Sequence, residues 1–122
     1  MVGGDIIPLQ IYTEQIKYTN YNKIKQNPDC LILDQTNKNF SPNRGISLGH
    51  KNFRLTNKQF KQMYYDQLIK SYKNNKNIFN EILSKDTIII ASNTYHHEYA
   101  DRVLFAKFLE NYGAEYKGEI EI

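Results

Sequence analysis

Two different hydrophobic rhythms meet in the last third of the chain. Thr87 to Ala91 is a continuous β-branched run, which predicts a buried strand. From about Glu98 to Tyr112 the apolar residues Val103, Leu104, Phe105, Phe108 and Leu109 recur at helical spacing, and Gly113 supplies the stop. Ala114 to Ile122 alternates as a final strand. Tyr116, Gly118 and Ile120 fall on one side, with Glu115, Lys117 and Glu119 on the other. Upstream, Ile6 to Tyr12 reads as a first strand. Cys30 to Leu33 is a short apolar run suited to a strand buried on both faces of a parallel sheet. The stretch between them, Thr13 to Asp29, is polar and ends in the turn signal Asn27-Pro28-Asp29. Phe40 to Arg54 reads as irregular. Thr56 and Gln59 form a Thr-x-x-Gln capping box that opens a helix carrying Phe60, Met63, Tyr64, Gln67 and Leu68. The polar run Ser71 to Asn77 either interrupts or continues that helix, and Ile78, Phe79, Ile82 and Leu83 then make another apolar face.

Strands alternating with helices predict an α/β fold. The expectation is a single compact domain over residues 1–122, with a small parallel or mixed sheet flanked by helices in a Rossmann-like arrangement. A chain of 122 residues can bury one core of its own. Composition changes this picture little. The formal charge of +3, from 16 basic and 13 acidic residues, is mild and forms no blocks, so a nucleic-acid partner is not expected. Cys30 is the only cysteine, which rules out an internal disulfide and a multi-cysteine metal site, and it is expected in the core. No leader pattern opens the chain and no run reaches membrane-spanning length, so a cytoplasmic protein without a membrane partner is expected.

The candidate chemistry gathers after the Thr87–Ala91 strand, where ligands bind in open α/β sheets. The loop from Ser92 to Arg102 holds Asn93, Tyr95, His96, His97, Asp101 and Arg102. A helix N-terminus beside an arginine suits a phosphate or carboxylate. The plainer alternative is that Arg102 pairs with a neighbouring carboxylate and Glu98 or Asp101 caps the helix. His97 and Asp101, with Asp34, are the candidates for proton transfer or nucleophilic attack. Asp34 and Thr36 follow the second strand, where a carboxylate either binds a ribose hydroxyl or caps a turn with Thr36. Tyr12, Thr13 and Gln15 follow the first strand and complete the same edge, and His50 and Arg54 belong to a loop that would fold over it. Tyr64, Tyr65 and Tyr72 fit a core better than a stacking platform. His96 and His97 lack a third ligand at suitable spacing, so no metal site is expected, and no phosphate-binding loop or dinucleotide fingerprint is present.

Several segments together resemble the family described as domain of unknown function 488, in its short phage-borne branch. They are Ile11-Tyr12-Thr13-Glu14-Gln15-Ile16, Leu33-Asp34-Gln35-Thr36-Asn37-Lys38, Phe40-Ser41-Pro42, Tyr64-Tyr65, Ser71-Tyr72 and the closing stretch from Leu104 to Glu119. The likeness covers most of the chain. Family members carry Cys-x-Cys or Cys-x-Glu after the last core strand and Cys-His-Arg at the next helix. Here those places read Ala91-Ser92-Asn93 and Ala100-Asp101-Arg102. The resemblance therefore implies a retained pocket without the family's thiol- or metal-dependent chemistry, and no cofactor is expected.

These readings converge on binding of a nucleotide-like or other anionic small molecule by Tyr12, Thr13, Asp34, Thr36, Ser92, Asn93, Tyr95, His96, His97 and Arg102. The phage setting implied by the resemblance suggests sequestration of a host immune nucleotide signal in the host cytoplasm. Two other readings stay open. One is an enzyme cleaving a glycosidic or phosphodiester bond of a nucleoside or nucleotide. The other is a protein that blocks a host factor through its Tyr- and Asn-rich surface. The aromatic residues of the middle helices suit either a core or a homo-oligomer face.

Overall fold

The computed structural model describes residues 7–120. Among the described residues four strands and five helices follow one another, with three helices in succession between the second and third strands. β1 is Gln10–Gln15, α1 Tyr21–Gln26, β2 Cys30–Ile32, α2 Arg44–Lys51 and α3 Asn57–Asn74. They are followed by α4 Lys76–Leu83, β3 Thr87–Ser92, α5 Asp101–Glu110 and β4 Glu115–Ile120. The strands form one sheet in the order β2-β3-β1-β4, and every neighbouring pair is parallel. The α/β expectation holds, with the sheet parallel throughout.

The connections explain where the helices lie. From β1 the chain moves past β3 to reach β2, then returns to β3 and crosses β1 to reach β4. Right-handed crossovers place α2 to α5 on one face and α1 on the other. The packing agrees. Ile11, Ile88 and Ile90 from the sheet share one hydrophobic cluster with Phe60, Tyr64, Leu68, Phe79, Phe105 and Phe108, and the buried Ile24 of α1 lies outside it. Phe40 and Phe79 meet edge to face with ring centroids 5.0 Å apart, and Phe40 stacks on Phe105 at 5.3 Å. Aromatic contacts of this kind stabilise beyond the area they bury. Tyr64 is a core residue whose hydroxyl donates to the Phe40 carbonyl.

Local chemistry sets the boundaries. Thr56 caps α3 by accepting from Gln59 N at 3.2 Å, while Gln59 Oε1 accepts from Thr56 N at 2.9 Å. The polar run ends the helix, because Asn75 leaves helical geometry and α4 begins after it. Gly113, with φ +98°, ends α5 as expected.

Several expectations are corrected. β1 starts at Gln10 and reaches Gln15, and Ile6 of the expected strand lies outside the described residues, as do residues 121 and 122 of the last one. Two helices stand where polar or irregular chain was expected, α1 and α2. Each buries one apolar side chain, Ile24 and Ile46, so neither shows a helical stripe in sequence. β2 is an edge strand and is half-buried along its length, so Cys30 is not a core residue. α5 begins at Asp101, after a turn-rich loop, and not near Glu98.

The most consequential correction is in β4. The register against β1 shifts between Ile11 and Tyr12: Tyr116 pairs with Ile11, but Gly118 pairs with Tyr12 and Glu119 with Thr13. Gly118 accommodates this bulge at φ +117°, where a side chain would be strained. Simple alternation would set Glu119 opposite Tyr116. The bulge brings both to the face that α5 covers.

Candidate functional site

Two of the cavities at the carboxyl ends of the strands flank one buried polar cluster. The cluster forms around Arg102, whose side chain is 0% exposed. Arg102 Nε and Nη2 donate to the two oxygens of Glu119 at 2.8 and 2.7 Å. Its Nη1 reaches Ser92 Oγ at 3.1 Å, Thr94 O at 2.7 Å and Thr94 Oγ1 at 3.0 Å. A buried guanidinium is tolerable only with such pairing. Burial works to raise the Glu119 carboxyl, but the hydrogen bonds and charge of Arg102, with smaller contributions from Thr13 and His96, hold it below the usual carboxylate range. Arg102 therefore has no open two-pronged face for a ligand. Of the two roles its position suggested, pairing with a carboxylate is the one adopted.

Asp101 fills the helix N-terminus itself. Its Oδ1 accepts from Ser92 Oγ at 2.6 Å, Thr94 Oγ1 at 2.9 Å and Arg102 N at 2.8 Å. The partial positive charge of α5 is thus met by the chain's own carboxylate. Ser92 is fully buried in this network and Thr13 is fully buried beside it, with Thr13 Oγ1 2.6 Å from Tyr116 Oη. Neither is open to a ligand. Tyr12 lies on the opposite sheet face, since it neighbours Thr13 along an alternating strand.

The larger cavity, about 730 Å³, opens past the ends of β2 and β3. Its size is ordinary for a small-molecule site. One wall comes from α2 and the turn after it, with Leu48, His50, Lys51 and Phe53, together with Phe60 of α3. The loop carrying Asn93, Tyr95, His97 and Tyr99 also lines it, as does the exposed Asp34. His50 stacks flat on Phe60, with centroids 4.1 Å apart and planes 5° from parallel, and its Nε2 donates to Asn57 Oδ1 at 2.7 Å. His50 thus sits in a helix and does face the site, whereas Arg54 is exposed and does not line the cavity. Asp34 Oδ1 accepts from both Thr36 N, at 2.9 Å, and Thr36 Oγ1, at 2.5 Å. That is an Asx-type turn, and it leaves Oδ2 without a protein partner among the described contacts. Thr36 itself faces the turn and not the cavity.

The paired histidines part company. His96 Nδ1 meets Glu119 Oε2 at 3.0 Å, on the side of the second cavity. His97 lines the first. Burial lowers its pKa, and the nearby charges of His50 and Arg102 lower it further, so the ring is neutral at pH 7. Tyr99 N–H donates to His97 Nδ1 at 3.2 Å, which assigns the ring proton to Nε2. A neutral ring with Nδ1 occupied offers the cavity a hydrogen-bond donor, not a base. Cys30 offers no nucleophile, because burial and the charges of Glu14 and Asp29 push its thiol up to about 11. Among the described residues no group of three His, Cys, Asp or Glu is placed to hold a metal ion, and no helix is long and apolar enough to cross a membrane.

Sequence reasoning did not single out Phe53, which is 95% exposed and holds φ at +60°. A bulky side chain in that conformation is strained, and this one gains no burial in return. Across the cavity Tyr95 is 83% exposed. The signal was a long aromatic at the end of a glycine-containing polar stretch, and nothing in sequence tied it to Tyr95. Comparison with family models, curated proteins and solved structures gave no match.

Proposed function

We propose that this protein binds a nucleotide-like small molecule, with a planar ring held in the 730 Å³ cavity between the Phe53–His50–Phe60 wall and the Tyr95–Tyr99 loop. The observation that carries this reading is the pairing of aromatic and polar lining residues at the carboxyl ends of β2 and β3 in a parallel sheet. Flat walls suit a base or another heterocycle. Asp34 Oδ2 and the Asn93 amide suit sugar hydroxyls or ring edges, and the His97 Nε2–H suits an acceptor on the ligand. An anionic group would be met by Lys51 on the α2 wall, since Asp101 holds the α5 terminus and Arg102 is committed to Glu119. Binding without turnover fits a neutral His97 that presents a donor. In the phage setting that the family resemblance implies, such binding would amount to sequestration of a host immune nucleotide signal.

The test is native mass spectrometry of the freshly purified protein, followed by incubation with nucleosides, nucleotides and cyclic nucleotides monitored by chromatography. The expected result is a one-to-one adduct that is released chemically intact on denaturation and is weakened by Asp34→Asn. Consumption of a compound with a new product would replace this reading by cleavage of a glycosidic or phosphodiester bond. Absence of both would remove the small-ligand reading and turn the search to a protein partner.

A further inference from the structure

The second cavity, about 590 Å³, lies past the ends of β1 and β4, and Glu14, Gln15, Lys17, Asn20, His96 and Glu119 line it. We infer that it is a separate binding site for the ammonium or amidinium group of a small organic molecule, held by the Glu14 carboxylate. Glu14 is 1% exposed, and its Oε1 has no hydrogen-bond partner among the described residues. Its Oε2 accepts one long bond, 3.3 Å, from Asn20 Nδ2. A buried carboxyl oxygen left without a donor is costly and uncommon in a native fold. A core position with no use for charge would be served better by an apolar residue or by an amide.

The surroundings show what is missing. Asn20 is fixed in place, with Nδ2 also donating to the Gln15 carbonyl at 2.9 Å and Oδ1 accepting from Lys17 N at 2.7 Å. It holds the Glu14 carboxyl in one orientation but brings no charge. Glu119, on the same cavity, has its charge met by Arg102 and a further contact at His96 Nδ1. No cation meets Glu14 within 4.0 Å among the described ion pairs. Burial and the charge of Glu119 both raise the Glu14 carboxyl, consistent with a site short of one positive group. An ammonium or amidinium supplies the N–H donor that Oε1 lacks and the charge that the pocket lacks. Lys17, also on the wall, disfavours polycations and suits a ligand whose far end is neutral or anionic. Neither Asp34 nor His97 lines this cavity, which is separate from the aromatic cleft.

The test is a titration of protein labelled with ¹³C at the Glu side-chain carboxyl, followed by NMR, with 4-aminobutyrate and butylamine as probes and pentanoate as the control without nitrogen. Both amines are expected to shift the Glu14 resonance saturably, and pentanoate is not. Glu14→Gln is expected to keep a folded spectrum and to weaken amine binding about tenfold or more, the usual scale for a lost charge-assisted bond. No saturable shift from either amine up to about 10 mM, a scale set by the weakest specific affinities, would overturn the assignment. So would an equal response to pentanoate, or undiminished binding by the variant. If Glu14→Gln fails to fold, the wild-type titration decides by itself.

Discussion

Replacing Glu119 by Gln tests the polar cluster between the two cavities most directly. The substitution keeps the shape and removes the charge. Arg102 is wholly enclosed, and two of its hydrogen bonds, at 2.8 and 2.7 Å, run to the two Glu119 oxygens. Gln offers one acceptor oxygen and sets an amide NH₂ against the guanidinium, so one donor and the whole positive charge lose their partner. Breaking one side of a buried ion pair costs about 3–5 kcal/mol. The Ser92 and Thr94 contacts survive, and the Glu119 side chain is 14% exposed, so the low end applies, about 3 kcal/mol. With about 2.1 cal/mol/K of unfolding entropy per residue over 122 residues, that is a fall in Tm of about 12 °C. Urea unfolding and thermal melting followed by circular dichroism read it. A control replaces both partners, Arg102→Met with Glu119→Leu, and is expected to recover most of the loss, because the cost lies in the unpaired charge. The pH dependence has a defined sign. The Glu119 carboxyl is depressed in the fold from an ordinary value of 4.5, so its contribution is complete above about pH 4.5 and is lost as pH falls through the depressed value. Glu119→Gln removes that acid-labile part. A variant within about 1 kcal/mol of wild type at pH 7 would refute the cluster as a structural lock.

Three further outcomes are expected. Gly118→Ala should cost about 1–3 kcal/mol in urea unfolding. Among the described residues no atom lies within 4 Å of the added Cβ, so the penalty comes from φ +117°, and unchanged stability would show that the bulge can relax. His97, titrated by NMR, should protonate below the ordinary 6.5, chiefly because of burial and next because of His50; His50→Asn should move it back up, and no movement would remove His50 as a cause. Its depressed value also means that stability falls as pH drops below about 6.5, where the unfolded chain takes up the proton first. Phe53→Gly should raise stability by about 1 kcal/mol by relieving the positive φ, while weakening any ligand of the aromatic cavity. A destabilised variant with unchanged binding would count against both halves of that reasoning.

The parts of the fold legible in the sequence are those whose signal is local and repeated. The β-branched run of β3, the Thr56–Gln59 capping box and the apolar stripe of α5 each specify an element without help from elsewhere. The short helices α1 and α2 were not legible, because one buried residue apiece makes no periodicity. In the site, the Ser92–Arg102 loop and Asp34 were found by position at strand ends, and Asn93, Tyr95, His97 and Asp101 do line a cavity with Asp34. Ser92, Thr13 and Arg102 were located at the correct edge, but their roles turn inward. Phe53 and Glu14 were not singled out. An exposed aromatic at positive φ and an unpartnered buried carboxyl are facts of three-dimensional surroundings, and no residue type announces them.

By itself, then, the sequence determined an α/β chain with its chemistry at the carboxyl ends of the strands, because propensity, capping and hydrophobic period act over a few residues. Tertiary structure decided the sheet order, the partner of Arg102 and the separation of the aromatic cavity from the one at Glu14. The one-residue bulge at Gly118 shows why. It reverses the faces of every residue after it, and so brings Glu119 to an arginine seventeen positions away. Such a pairing depends on register between strands that are far apart in the chain, and register is fixed only when the core closes.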